Sequence, residues 1–231
     1  IDRTMRRRGS PAGAADLLRP TIFGDAALDA WVARDAGDPG EPWDSFERAR
    51  QLVQAGHREE AVRIWQQIAV TDGMESRHTL QAWHFLRQAG LSAPADRARL
   101  VLGVAVEMPM RKGHDLLAAY RDGTARYLNY SGKAVIWEDH SDTRIQAAIT
   151  DWLTAGQLIA GTIGVWEQPS LPPLPAGEAR LMMLTPGGHR FGQAPVAALS
   201  QDPKAGPFLA AATRVLQFIT SRAVSNDPAG Q

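Results

Sequence analysis

The chain is 231 residues long, 44% hydrophobic and 22% charged, and its 25 Lys+Arg balance its 25 Asp+Glu. A formal charge of zero gives no whole-protein attraction to nucleic acid or to an anionic membrane surface. The absence of cysteine excludes disulfides, thiolate metal sites and cysteine nucleophiles, and no run of about 18 apolar residues offers a membrane span. A chain of this size buries roughly 70–75% of its unfolded surface, so a sizeable core is available. The start, "IDRTMRRRGSPAGAAD", lacks the apolar centre of a secretory signal, and a cytoplasmic protein is expected. Lysine is confined to Lys112, Lys133 and Lys204; arginine dominance with Ala and Gly richness is the composition of a GC-rich bacterial genome.

Residues 1–20 are rich in Arg, Gly, Pro and Ala and read as a mobile basic arm. Its Arg6, Arg7 and Arg8 are the one dense charge run, and the one place where nucleic acid or a phosphate could be touched. "TIFGDAALDAWVARD" predicts a short amphipathic helix with Ala27, Leu28, Trp31 and Val32 on one stripe. "AGDPGEP" breaks it.

"WDSFERARQLVQAGHREEAVRIWQQIAVTDG" has two helical periods separated at Gly56, with the small Ala61 in the second. Phe46, Ala49, Leu52 and Val53 are placed to face Val62, Trp65 and Ile68. The spacing of Gly56 and Ala61, with Asp72-Gly73 closing the unit, resembles a single tetratricopeptide-type helical hairpin over about residues 43–73. A second pair is expected in "SRHTLQAWHFLRQAG" and "PADRARLVLG", and such repeats normally pack on something else.

After Leu100 the period becomes strand-like. "LVLGVAVEM", "DLLAAYRDG", "TARYLNYSG" and "KAVIWE" are rich in β-branched and aromatic residues and punctuated by Gly. Asp122-Gly123 predicts a two-residue type I′ hairpin and Ser131-Gly132 a second one. "TRIQAAITDWLTAGQLIAGTIG" repeats Ile145, Ile149, Trp152, Gly156, Ile159 and Ile163 at helical spacing, behind a cap at Ser141 or Asp142. The proline-rich "WEQPSLPPLPAGE" reads as a stiff extended crossover. "ARLMMLTPGGHRFGQAP" reads as a hairpin turning at Gly187-Gly188. A last helix from about Pro207 places Phe208, Ala212, Val215 and Ile219 on one stripe.

The expected fold class is therefore α+β: TPR-like helical hairpins at 21–99, then a 100–231 domain of antiparallel sheet covered by two long helices. The order of elements resembles profilin-like and roadblock-like sensor or adaptor domains.

Specific chemistry is not signalled. Glu75 and His78 in "ESRH" stand three apart, as in carboxylate-bridged metal sites, but a second such pair is missing. Glu138, Asp139, His140 and Asp142 precede a helix, where capping explains acidic residues. Gly187, Gly188, His189 and Arg190 suit a turn. No nucleophile elbow or Gly-x-Gly-x-x-Gly follows a strand, so no catalytic residue, cofactor site or metal ligand set is assigned.

Apolar neighbours such as Leu116 with Leu117, and the run Val135-Ile136-Trp137, imply a sheet apolar on both faces. The two long helices can cover one face, and either the N-terminal helical hairpins or a partner must cover the other; a face left open would be a docking surface. The expectation is a non-enzymatic interaction or adaptor protein, a subunit of a larger assembly, holding a protein partner or a second copy through the helical arm and a sheet face that includes Leu116, Leu117, Tyr127 and Trp137. The alternative is a small-molecule-binding or enzymatic α+β domain with a pocket between sheet and helices lined by Trp137, Tyr127 or Trp152.

Overall fold

The computed structural model describes residues 14–32, 40–168 and 170–225. Arg6–Arg8 and the rest of residues 1–13 lie outside them. Residues 14–20, read from the sequence as part of the arm, belong instead to helix α1 (Ala14–Phe23). The helix predicted from Thr21 is split: α1 ends at Phe23, and α2 (Leu28–Val32) follows. The break is Gly24, whose φ of +66° lets the Asp25 N–H donate back to the Pro20 carbonyl at 3.0 Å, a glycine C-cap. A side chain at Gly24 would also collide with Leu80, its Cβ falling 2.7 Å from that residue's.

Helices α3 (Trp43–Gln54) and α4 (Arg58–Val70) form the expected antiparallel pair. Phe46, Ala49, Ala61, Trp65 and Ile68 bury in a core shared with Trp31, Phe85 and Leu86. Ala61 is fully buried, and Gly56 adopts the left-handed conformation in the turn, at φ +84°. The second pair does not form. Helix α5 (Ser76–Gln88) is long, but the residues after it make only the single-turn α6 (Ala95–Ala98), because Val101 and Leu102 turn into the sheet and bury there.

The sheet is six-stranded and antiparallel, in the order β4-β3-β2-β1-β5-β6. Its strands are β1 (Gly103–Met110), β2 (Gly113–Tyr120), β3 (Ala125–Leu128), β4 (Ala134–Trp137), β5 (Glu178–Thr185) and β6 (Gly188–Pro195). The turn at Gly123 differs in type from expectation. Gly123 alone takes a positive φ (+85°), since no non-glycine residue does among those described. Its N–H bonds the Tyr120 carbonyl at 3.0 Å and Tyr120 N–H bonds Thr124 O at 2.9 Å, a type I turn with a glycine bulge. Gly132 repeats the arrangement between Asn129 and Lys133. The β5–β6 turn falls at Pro186-Gly187, one residue earlier than expected, since Thr185 pairs with Gly188.

Helix α7 (Thr143–Ala160) is capped by Asp142, which accepts the Arg144 N–H. It packs against α9 (Ala205–Ser225), and both cover one sheet face. Gly156 sits where α7 approaches β1 so closely that a Cβ would lie 2.5 Å from Val104. The short α8 (Val196–Gln201) was not expected; it fills the step from β6 to α9.

The opposite face is closed by the chain itself. Ala105, Leu116, Ala118, Tyr120, Leu128, Met182 and Leu184 bury against Ile22 and Phe23 of α1 and Leu80 of α5. Side chains hold α1 there: Tyr120 donates its hydroxyl to Ile22 O at 2.7 Å, and Gln81 exchanges two hydrogen bonds with the Ala26 backbone. Arg19 bonds Glu107 at 3.0 Å, and Glu107 in turn holds the fully buried Arg180 of β5 at 2.8 Å. Arg180 also donates to Gln193 and to the Pro172 carbonyl of the crossover, so every carboxylate and guanidinium in this buried group is matched. Through Ile22, Phe23 and Leu80 the helices α1 and α5 thus share a core with the sheet, while α3 and α4 pack in a cluster of their own with α2 and α5. Of the two covers expected for the second face, the helical region supplies one at Leu116, and Leu117 is buried on the α7 and α9 side.

Candidate functional site

Period-two alternation puts Val106 of β1, Leu117 of β2 and Tyr127 of β3 in one row across the sheet, each directly opposite the next. This row floors a groove under α8 and α9, a cavity of about 360 Å³ walled by Met108, Leu209 and Leu216. Ala212, buried on α9, presents too little side chain to fill it. The groove is lined mostly by apolar side chains and includes Asp115, which lies opposite Met108 in the β1–β2 register, one row from Leu117.

Asp115 is held on both oxygens. Tyr127 donates its hydroxyl to Oδ2 at 2.6 Å, and the Tyr130 N–H donates to Oδ1 at 2.9 Å. Burial, and then Asp115 itself, raise the tyrosine well above its ordinary range, so it stays a phenol and a donor. The other hydroxyls are turned onto their own helices: Ser200 donates to Val196 O and Thr213 to Leu209 O. Asp115 is therefore the one charged group among the lining residues. Its spare lone pairs accept further hydrogen bonds. The arrangement can hold an apolar body with a donor or cation at one end, flanked by two flexible methionines, Met108 and Met110.

Of the residues singled out from the sequence, Leu117 and Tyr127 meet in this groove. Leu116 points to the other face, under α1. Trp137 is buried in the core beneath α7 and α9 and does not line the groove. Trp152 is fully buried and packs edge-on against Phe208 at 5.5 Å. Asp115 was not recognised. The signal was present in its position two residues before Leu117, since a carboxylate on the apolar side of an alternating strand is the informative exception.

The other clusters have structural employment. Glu138 pairs with Arg126 at 2.6 Å, Asp139 accepts the Ser141 N–H, and Asp142 caps α7. Glu75 pairs with Arg77, and His78 is buried among Trp31, Trp43 and Phe46, where burial lowers it to about 4. Among the described residues no group of three or more ligating side chains could hold a metal ion, and no helix is long and apolar enough to cross a membrane. The chain finds no match among family models, curated proteins or solved structures.

Proposed function

We propose that the chain is a small-molecule-binding domain, and that its ligand is an amphiphile. The apolar body lies along the Val106, Leu117 and Tyr127 row and a donating or cationic head meets Asp115. The observation that carries this reading is the single carboxylate, locked by Tyr127 and Tyr130, in a largely apolar groove. Largely apolar pockets with a few placed polar groups are the usual form of small-molecule sites. The adaptor reading ranks second. It loses the sheet face around Leu116 and Leu117 but keeps the edge strand β4, where Ile136 is 63% exposed and, among the described residues, no strand pairs with its outer side.

The test is competitive displacement of a neutral fluorescent probe, N-phenyl-1-naphthylamine, by decylamine and by decanoate. Decylamine is expected to displace the probe at a concentration at least about tenfold lower, a gap of about 1.4 kcal/mol, and Asp115→Asn is expected to close that gap. Failure of the probe to bind, or equal displacement by amine and acid, contradicts the proposal.

A further inference from the structure

On the α1 side of the sheet a separate cavity of about 770 Å³ opens between the end of α1, α5, the crossover and the β5–β6 turn. The Gly24 cap delivers Asp25 into it. Asp25 Oδ2 lies 3.6 Å from His189 Nδ1, while Oδ1 is buried and has no hydrogen-bond partner. His189 Nε2 lies 3.3 Å from the Phe23 carbonyl, a contact that needs the ring proton on Nε2 and leaves Nδ1 with a lone pair. Two acceptors therefore face each other with no donor between them.

Arg87 enters from α5. One N–H group donates to the Pro186 carbonyl at 2.6 Å, and among the described residues no carboxylate forms an ion pair with it. Arg19, the other guanidinium at the cavity, is already held by Glu107. Trp166 forms a wall, 37% exposed, fixed by its indole N–H to Ser170 O and edge-on to Phe191 at 5.1 Å. A metal ion is excluded by the shortage of ligating groups and by the nearby guanidiniums. An amine alone would leave Arg87 unmatched, and an anion alone would face Asp25.

We propose that this cleft binds a free α-amino acid with an apolar side chain: its ammonium between Asp25 and His189, its carboxylate on Arg87, its side chain against Trp166. An ammonium carries three donors, enough for Asp25 Oδ1, Asp25 Oδ2 and His189 Nδ1 together. The carboxylate matches the guanidinium fork. Bound, the ligand gives donors to Asp25 Oδ1 and His189 Nδ1 and a carboxylate to Arg87.

Calorimetric titration of the full chain with L-phenylalanine, L-leucine, phenethylamine and 3-phenylpropanoate tests this. At least one amino acid is expected to bind, and each half-ligand to bind at least about tenfold more weakly. Asp25→Asn should weaken the amino acid and the amine but not the acid; Arg87→Met should weaken the amino acid and the acid but not the amine. Thr213→Trp, which fills the groove of the other face, should leave the amino acid and the acid unchanged, and any phenethylamine binding that it removes belongs to that groove. If a variant fails to fold, the comparison of whole and half ligands on the native chain decides alone. Absence of binding by both amino acids at millimolar concentration, half-ligands as tight as the whole, or indifference to a folded Asp25→Asn overturns the proposal.

Discussion

Replacing Asp25 by Asn should stabilise the protein at pH 8 and leave its stability almost unchanged at pH 4. Burial pushes this carboxyl from its ordinary 3.8 up to about 6, against the pull of Arg19 and Arg87. The folded chain therefore binds this proton more tightly than the unfolded chain does. The ionised form is a cost to folding that is fully present above pH 6 and fades as the pH falls towards 3.8. At 1.36 kcal/mol per pKa unit the rise corresponds to about 3 kcal/mol. With 29% of the side chain still in solvent, screening reduces this to about 1–2 kcal/mol. Asn is isosteric and uncharged, and its amide can donate to His189 Nδ1 as the protonated acid does. Burial, and then Arg87, lower His189 to about 3 and His84 to about 4. Those histidines destabilise the fold as the pH drops below about 6.5, but they are common to both proteins and cancel in the difference. Urea titrations of the two proteins at pH 8 and pH 4 measure it. A loss of stability at pH 8, or an offset equal at both pH values, would refute the assignment of an unmatched buried charge.

Leu116 and Leu117 report on opposite faces, 1% and 4% exposed, so Leu116→Asp and Leu117→Asp should each cost more than about 3 kcal/mol in a denaturant titration; tolerance of either would mean that the chain does not cover that face. Asp122→Ala removes the acceptor for the Ser76 N–H at 2.7 Å and the Thr124 N–H at 2.9 Å and should lower stability by about 1–2 kcal/mol, whereas an unchanged midpoint would deny that the β2–β3 turn caps α5. Ala61→Leu should overpack the α3–α4 contact at a cost of about 1–3 kcal/mol, read as a lower urea midpoint; no change would deny the close approach at Ala61.

Local chemistry made most elements legible. Gly123 and Gly132 marked the β-meander because only glycine accepts the positive φ its turns demand, and the spacing from Ile145 to Ile159 marked α7 because those residues share one stripe. The type I′ assignment failed because it requires a positive φ at Asp122, whose side chain instead braces Thr124 and the start of α5. Helix α1 was hidden because Arg19 and Pro20 interrupt its apolar residues, and Leu18, Ile22 and Phe23 acquire a partner only once the sheet exists. The expected second repeat failed because apolar residues from Leu100 onward suit a buried strand as well as a helix. In the groove, Leu117 and Tyr127 were legible as sheet residues, while their convergence with Leu209 and Leu216 is a tertiary fact. The Asp25–His189 pair joins opposite ends of the chain, and no local pattern announces it.

The groove's role as a binding site is tested most directly by filling it from outside. Thr213 lines the groove from an exposed position on α9, so Thr213→Trp can occupy the space without disturbing the core. Titration of N-phenyl-1-naphthylamine into the two proteins, with their melting curves recorded alongside, gives the comparison. The account predicts at least about tenfold weaker probe binding by Thr213→Trp at an unchanged melting temperature. Equal probe binding by the two folded proteins would contradict it.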